Sequence, residues 1–380
     1  MSFSTFKSAN KLITGQDALE YLVQAVDQFK IQKALIVSDQ GVVKSGTIQH
    51  VLNILDIEYS IYDSVKPEPE LEQVQDCIDF YHTHQCRAVI GVGGGSALDI
   101  AKCVAALAGQ TGNIHDYIGT DKIKNRDIPL IVVPTTSGTG SEVTNIAILS
   151  DNANQMKQGI VADALLPDVA IVSPIMSVSC PASVTAASGV DALVHAIEAY
   201  ISIHHSEITD ALALQAIELI IEYLPKAYAL PSNLLAREKM ATASLMAGLA
   251  FGNAGVGAVH ALAYPLGGKY KMPHGVSNAL MLPYVLKWNV LGCAERLSRI
   301  AVLLKLEVTQ NHMHNAEVLV EFLHRFCEQL NIPAGLRNFG IAEQDIPALA
   351  AEAIKVERLL KNNPRRLSVQ DIEAIYSEAY

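Results

Sequence analysis

The stretch AVIGVGGGSALDIAK, Ala88 to Lys102, decides the fold. It opens with a short apolar run, which reads as a strand buried on both faces. Gly93, Gly94 and Gly95 follow and allow the backbone a tight turn and close approach to a ligand. A helix then begins near Ser96, and its free N–H groups and positive dipole end suit a phosphate. Ser96 either caps that helix or donates to a phosphate oxygen, and Asp99 either completes a capping-box-like arrangement or accepts from a hydroxyl. The competing reading is a tight strand-to-helix turn with no ligand. The spacing is not the Rossmann fingerprint, because the third glycine counted from Gly91 falls on Ser96, and it lacks the G-K-[ST] ending of a P-loop.

Similar units lie on either side. KALIVSD (Lys33 to Asp39), IEYSIYD (Ile57 to Asp63) and PLIVVPTT (Pro129 to Thr136) read as further strands. TIQHVLNILD and ELEQVQDCIDFYHTH between them have helical spacing. Strand and helix in alternation predict a parallel sheet covered by helices. A second loop, VPTTSGTGSEVTN (Val133 to Asn145), is rich in glycine and hydroxyls. Two such loops at neighbouring strand ends would face one crevice, where sheets of this kind bind nucleotides. Asp39, ending its strand, either caps the loop or accepts from an adenosine ribose; the second role would disfavour a 2′-phosphate and favour NAD over NADP.

After CPASVTAAS the chain turns Ala- and Leu-rich with helical spacing, from TDALALQAIELIIEYLPKAY to SVQDIEAIYSEAY. The boundary is therefore placed near Cys180 and Pro181, giving an α/β dinucleotide-binding domain over residues 1–180 and an all-α domain over 181–380. The 380 residues, half of them hydrophobic, suffice for two cores. The net charge of −11 and the absence of a basic patch argue against nucleic acid as a partner. Six scattered cysteines without a C-x-x-C pair suggest neither a disulfide framework nor a thiolate zinc site. The N-terminal MSFSTFKSANKLITG has no long apolar run, and no uncharged apolar stretch reaches membrane-spanning length, so the expectation is a cytoplasmic protein without signal peptide or span.

SGVDALVHAIEAYIS (Ser188 to Ser202) places Asp191 and His195 four residues apart, on one helix face, in a segment otherwise built for burial. A buried carboxylate is costly unless paired or coordinated. Downstream, His260 lies in an apolar helix-like run and His274 in a Pro-His-Gly turn. A divalent cation held by Asp191, His195, His260 and His274 would satisfy all four. A nitrogen-plus-carboxylate set without thiolate suits Fe(II) or Zn(II), with Co, Ni or Mn also compatible.

Taken together, GGGSALDIAK, PTTSGTGSEVT, GVDALVHAIEAY, GAVHALAYPLGG, MPHGVSNALMLP and NNPRRLSVQDIEAIYSEAY resemble the iron-dependent (group III) alcohol dehydrogenases, whose fold is related to dehydroquinate synthase. The resemblance spans nearly the whole chain. It implies an N-terminal α/β NAD(P)-binding domain, a helical C-terminal domain and a metal in the cleft between them, bound by the same Asp191, His195, His260 and His274. It also implies that Gly94, Gly95 and Ser96 hold the pyrophosphate and that Thr135, Thr136, Thr139 and Thr144 line the nicotinamide side. Lys157 aligns with a lysine that contacts cofactor in relatives, although spacing alone reads it as an exposed loop charge.

Two positions depart from the family pattern. Many relatives carry histidine four residues after the third ligand; here Tyr264 stands there, either as a proton donor or substrate contact or as packing. Glu68 replaces an asparagine common in relatives, and no cofactor contact is assigned to it. The implied activity is reversible NAD-linked oxidation of a primary alcohol or short diol, with hydride exchanged between the alkoxide form of the substrate and nicotinamide, in a homodimer or larger assembly. A lyase of the dehydroquinate synthase type is disfavoured because only Lys269 and Lys271 are seen near the ligand segments. A hydroxyacid–oxoacid transhydrogenase and a metal-stabilised binding protein are the remaining rivals.

Overall fold

The computed structural model describes residues 5–152 and 156–380. Its strands are β1 (Lys11–Thr14), β2 (Lys33–Val37), β3 (Glu58–Tyr62), β4 (Ala88–Gly93), β5 (Gly119–Thr120), β6 (Leu130–Pro134), β7 (Ile146–Asp151), β8 (Met156–Val161) and β9 (Val169–Val172). Helices α1 (Tyr21–Gln28), α2 (Gln40–Lys44), α3 (Gln49–Leu52), α4 (Leu71–Thr83) and α5 (Gly95–Leu107) alternate with these strands. The helical half holds α6 (Ala182–Ile201), α7 (Glu207–Ala229), α8 (Leu234–Ala254), α9 (Ala258–Tyr270), α10 (His274–Leu303) and α11 (His312–Gln329). It closes with α12 (Ile346–Ala353), α13 (Glu357–Leu360) and α14 (Val369–Glu378).

The main sheet is parallel throughout, in the order β1-β9-β6-β4-β2-β3. Central β4 and β6 are fully buried, as their unbroken apolar runs require, whereas edge strand β3 is half-open. The chain runs outward from β2 to β3 and then returns to β4 on the other side of β2. That reversal leaves a crevice beyond the C-terminal ends of β2 and β4, the usual ligand position in an open α/β sheet. Asp39 follows β2 and the glycine cluster follows β4, so the topology brings them to one place.

A small second sheet, β5-β8-β7, was not foreseen, because its strands mix polar and apolar residues over short lengths. The helix expected over TIQHVLNILD shrinks to α3; β-branched Thr47, Ile48, Val51 and Ile54 give it little intrinsic support. IPALAAEAIKVERLL is likewise broken into α12 and α13.

The helical half packs its own core around α6, whose residues from Gly189 to Ile201 are all buried. It also lends Ala241, Leu245 and Leu249 of α8 to the core on one face of the main sheet. The two halves therefore share apolar contacts as well as polar ones. No single described helix is long and apolar enough to cross a membrane.

Candidate metal centre and nucleotide crevice

Asp191, His195, His260 and His274 come from three helices, α6, α9 and α10. One donor atom from each lies within 4.8 Å of the others. Donors about 2.1 Å from a shared cation are separated by roughly 3–4 Å, so slight side-chain adjustment suffices to converge on one ion. His260 Nε2 is 4.0 Å and His274 Nε2 3.9 Å from Asp191 Oδ1. Asp191, His195 and His260 are buried, while the His274 side chain is 41% exposed and marks the side open to the cleft. His274 does not sit in a turn as the Pro-His-Gly sequence suggests: Pro273 caps α10 and His274 is its first residue.

The surroundings fix the His260 and His195 rings through one nitrogen each. His260 Nδ1 bonds Glu198 Oε2 at 2.5 Å, while Glu198 Oε1 accepts from the Val259 N–H at 2.7 Å. This carboxylate claims the Nδ1 proton, and His260 Nε2 is left buried with no hydrogen-bond partner. An orphaned buried nitrogen beside a buried carboxylate fits a cation and is costly without one. His195 Nδ1 lies 3.1 Å from the Gly138 carbonyl, so Nε2 is the nitrogen left facing the cluster. Its ring stacks on Phe251 with centroids 4.2 Å apart. Asn278 Nδ2 donates to Asp191 Oδ1 at 2.6 Å and approaches His274 Nε2 at 3.1 Å, placing donor hydrogens where positive charge is wanted.

Burial pushes the His195 pKa down to about 3 against the pull of Asp191, and burial likewise lowers that of His274. Both rings are thus neutral and able to ligate at physiological pH. Burial would raise the Asp191 pKa, but His195, His274, His260 and the Asn278 amide outweigh it and hold the carboxyl below its ordinary value.

The glycine turn is cut for close approach. Gly94 caps α5 without any side-chain cap bond, so the first N–H groups of that helix are left for a ligand. Neither sequence reading of Ser96 as a cap nor of Asp99 as a capping-box partner holds. Ser96 Oγ donates to the Pro67 carbonyl at 2.5 Å. Asp99 instead takes the hydroxyl-acceptor role, from Ser141 Oγ at 2.5 Å, and also accepts from Ile148 N at 2.9 Å. Asp39 Oδ1 caps α2 through the Gly41 and Val42 N–H groups, while Oδ2 lies 3.3 Å from a Cβ added to Gly93.

Thr135 anchors its loop through its N–H to the Gly93 carbonyl at 2.9 Å. Thr136 lies over Gly94 and Thr139 over Gly95, where an added Cβ would stand 2.7 Å from Thr139 Cγ2. The same loop reaches the four-donor cluster. An added Cβ on Gly138 would lie 2.6 Å from Ser188 Cβ, and one on Gly140, at φ +61°, would lie 2.4 Å from Gly248 Cα. The glycines of SGTGS therefore let the loop thread between α6 and α8 and present the Gly138 carbonyl to His195.

Sequence reading missed four participants. Glu198, visible in SGVDALVHAIEAYIS, had no assigned role. Asn278 gave no signal beyond its position four residues after His274, on the same helix face. Lys102 is fully buried and ties Asp99, Ser141, Thr144 and Ile146 together, so Thr144 Oγ1 is already engaged by a protein cation. Arg358 stands at the cleft near Tyr264, and with Lys157 it corrects the count of cations around the ligand segments. Lys157 itself is no exposed loop charge: it lies in β8 and bonds Glu68 and, at 2.8 Å, Ser150 Oγ. Tyr264 lies one helical turn beyond His260, with its ring centroid 6.5 Å from that of His274. Burial raises its hydroxyl pKa, keeping it a neutral donor.

Comparison with known proteins agrees along the whole chain. The iron-containing alcohol dehydrogenase model matches residues 9–174, and the C-terminal model of the Fe-containing alcohol dehydrogenase family matches residues 185–380. The long-chain-alcohol dehydrogenase 1 of Geobacillus thermodenitrificans is 44% identical over 375 residues, covering 96% of this chain and 94% of that protein. The crystal structure of a 1,3-propanediol oxidoreductase superposes with a TM-score of 0.96 at 39% identity over the full length of both chains. The sulfoacetaldehyde reductase of Bifidobacterium kashiwanohense, solved in complex with NAD+, gives 0.91 at 29% identity, covering 100% of this chain and 99% of its own.

Proposed function

The chain belongs to the iron-containing alcohol dehydrogenase family, and from that premise we propose how its residues carry out NAD-linked alcohol oxidation and aldehyde reduction. The observation that carries the reading is the orphaned His260 Nε2 within a four-donor cluster, beside a crevice at the sheet's reversal point. Asp191, His195, His260 and His274 would hold Fe(II), with Zn(II) compatible with the same donors. When bound, the cation supplies Lewis acidity toward an alcohol or carbonyl oxygen, and the nicotinamide supplies the hydride acceptor or donor.

The chain's own groups do the rest. Glu198 and the Gly138 carbonyl hold their histidines in the ligating tautomer. Phe251 covers one face of His195 and keeps water from that side of the cluster. Gly94, Gly95 and the start of α5 offer N–H groups to a pyrophosphate, with Ser96, Thr135, Thr136, Thr139 and Thr144 shaping the walls. Asp39 Oδ2 accepts from the ribose and disfavours a 2′-phosphate. Tyr264 Oη donates a hydrogen bond toward the reacting oxygen while keeping its own proton. Lys157, partnered by Glu68, borders the nicotinamide end.

Residues 1–180 and 181–380 act as the cofactor and metal domains in this reading. The enzyme works in the cytoplasm as a homodimer or larger assembly. Exposed Leu230, Leu234 and Leu235 around the α7–α8 turn support self-association, which light scattering decides. Metal-free protein should reduce no NAD with a panel of short primary alcohols, and Fe(II) or Zn(II) should restore turnover. Undiminished turnover after complete metal removal would refute the reading.

A further inference from the structure

The wall of the cleft beside the metal cluster is built from three elements. Helix α9, which carries His260 and Tyr264, packs against both β8 and α13. From α13, Arg358 reaches into that junction: its Nη2 would stand 3.8 Å from a Cβ added to Gly159 of β8. Its guanidinium also lies beside the Tyr264 hydroxyl, and the Tyr264 ring neighbours that of His274. Gly159 leaves open the space a side chain would take on this stretch of β8. Arg358 is therefore a polar neighbour of Tyr264 at the junction of α9, β8 and α13.

The charges on this wall do not cancel. Glu68 is paired with Lys157. Asp99 is paired with Lys102 at 3.3 Å. Asp191 faces the cation its cluster is suited to bind. Among the described residues no carboxylate lies within 4.0 Å of Arg358, and it remains exposed to solvent. The wall thus presents one uncompensated guanidinium, a planar fork suited to carboxylate or sulfonate, flanked by a phenol that also donates. A purely apolar tail would have to lie against that charge and would offer it no hydrogen bond.

We propose that Arg358 is a specificity-determining residue, and that the preferred substrates are short aldehydes or primary alcohols whose far end carries a carboxylate or sulfonate. This rests on the dehydrogenase reading above and names the substrate class for the same site. The anion pairs with the Arg358 fork while the carbonyl or hydroxyl end lies at the four-donor cluster.

The test uses metal-loaded protein with NADH and four aldehydes. These are 4-oxobutanoate, 3-oxopropane-1-sulfonate, the neutral isostere 4-methylpentanal, and 4-(trimethylammonio)butanal. At low salt kcat/KM should favour the two anions over 4-methylpentanal by about tenfold to a hundredfold, the range for a charge-assisted hydrogen bond, and mostly through KM. The cation should be the poorest substrate. The ratio of the carboxylate to the sulfonate shows which head group the fork fits better. The anion preference should shrink as NaCl is raised, vanish in R358Q and survive in part in R358K. Salt and charge dependence would not accompany a role confined to holding Tyr264 in place. Equal rates for neutral and anionic aldehydes in the wild type, or an undiminished preference in R358Q, would overturn the substrate class alone. Absence of turnover with all four, in protein that oxidises short primary alcohols, would overturn the substrate class alone; absence with those alcohols as well would overturn the dehydrogenase reading and this inference with it.

Discussion

The two walls of the cleft are built by different means. On the metal wall, charged and imidazole side chains gather, and three of the four are held by an identifiable partner: Glu198 for His260, the Gly138 carbonyl for His195, Asn278 for Asp191. On the nucleotide wall, the polar side chains are largely spent on one another, as in the Asp99–Ser141–Lys102 network, and the surface left for a ligand is backbone. Substitutions on the first wall should remove chemistry outright. Those on the second should mainly alter affinity.

The largest expected effect is therefore on the metal wall. His260→Ala or His274→Ala should lower metal content and turnover together, with activity falling more than about a hundredfold because the Lewis acid is lost. Elemental analysis beside a steady-state assay checks this, and full metal occupancy in either variant would remove that residue from the ligand set. Glu198→Gln comes next. Losing the carboxylate behind His260 should weaken metal affinity by about 10–100-fold, since such outer partners carry effects of that size. Competition with a chelator of known affinity measures it; an unchanged constant would mean that the 2.5 Å contact is only packing.

On the nucleotide wall, Asp39→Asn should raise kcat/KM with NADP relative to NAD by about tenfold, one charge interaction being worth roughly that factor. A wild-type preference for NADP would show that Asp39 serves α2 alone. The smallest effect on activity concerns pH, and here the walls carry opposite signs. His195, depressed to about 3, contributes stability that is full above its ordinary value near 6.5 and lost as pH falls toward 3. Glu142, buried behind the threonine loop, has its pKa pushed up to about 7 by burial. Its contribution is full below its ordinary value of 4.5 and is lost as pH rises through 7. Glu142→Gln should therefore leave stability at pH 5 little changed and increase it at pH 8.5, on the order of 2 kcal/mol. Denaturant unfolding at the two pH values decides, and an equal gain at both would mean that Glu142 is not held against its charge.

The same contrast explains what could be read from sequence. The metal wall was legible because Asp191 and His195 at helical spacing in an apolar segment are expensive, and only a few arrangements repay such a cost. Alternating buried strands and helices made the parallel sheet legible for the same reason: long apolar runs have few other uses. The nucleotide wall was legible as a pattern but not as roles. Whether Ser96 caps a helix or reaches Pro67, and whether Asp99 turns back or forward to Ser141, depends on loops folded from distant sequence. Arg358 lies in a stretch with no motif, and only the packing of α13 against α9 carries it to the cleft. The second sheet went unread because β8 mixes polar and apolar residues and β5 is only two residues long.

One cation held among Asp191, His195, His260 and His274 is expected to be required for chemistry. Titration of metal-free protein with Fe(II), following bound metal and ethanol-dependent NAD reduction in the same samples, tests it most directly. Activity should rise in proportion to occupancy and saturate at one equivalent per chain. Turnover already complete before any metal is added, or metal that binds stoichiometrically without restoring turnover, would contradict it.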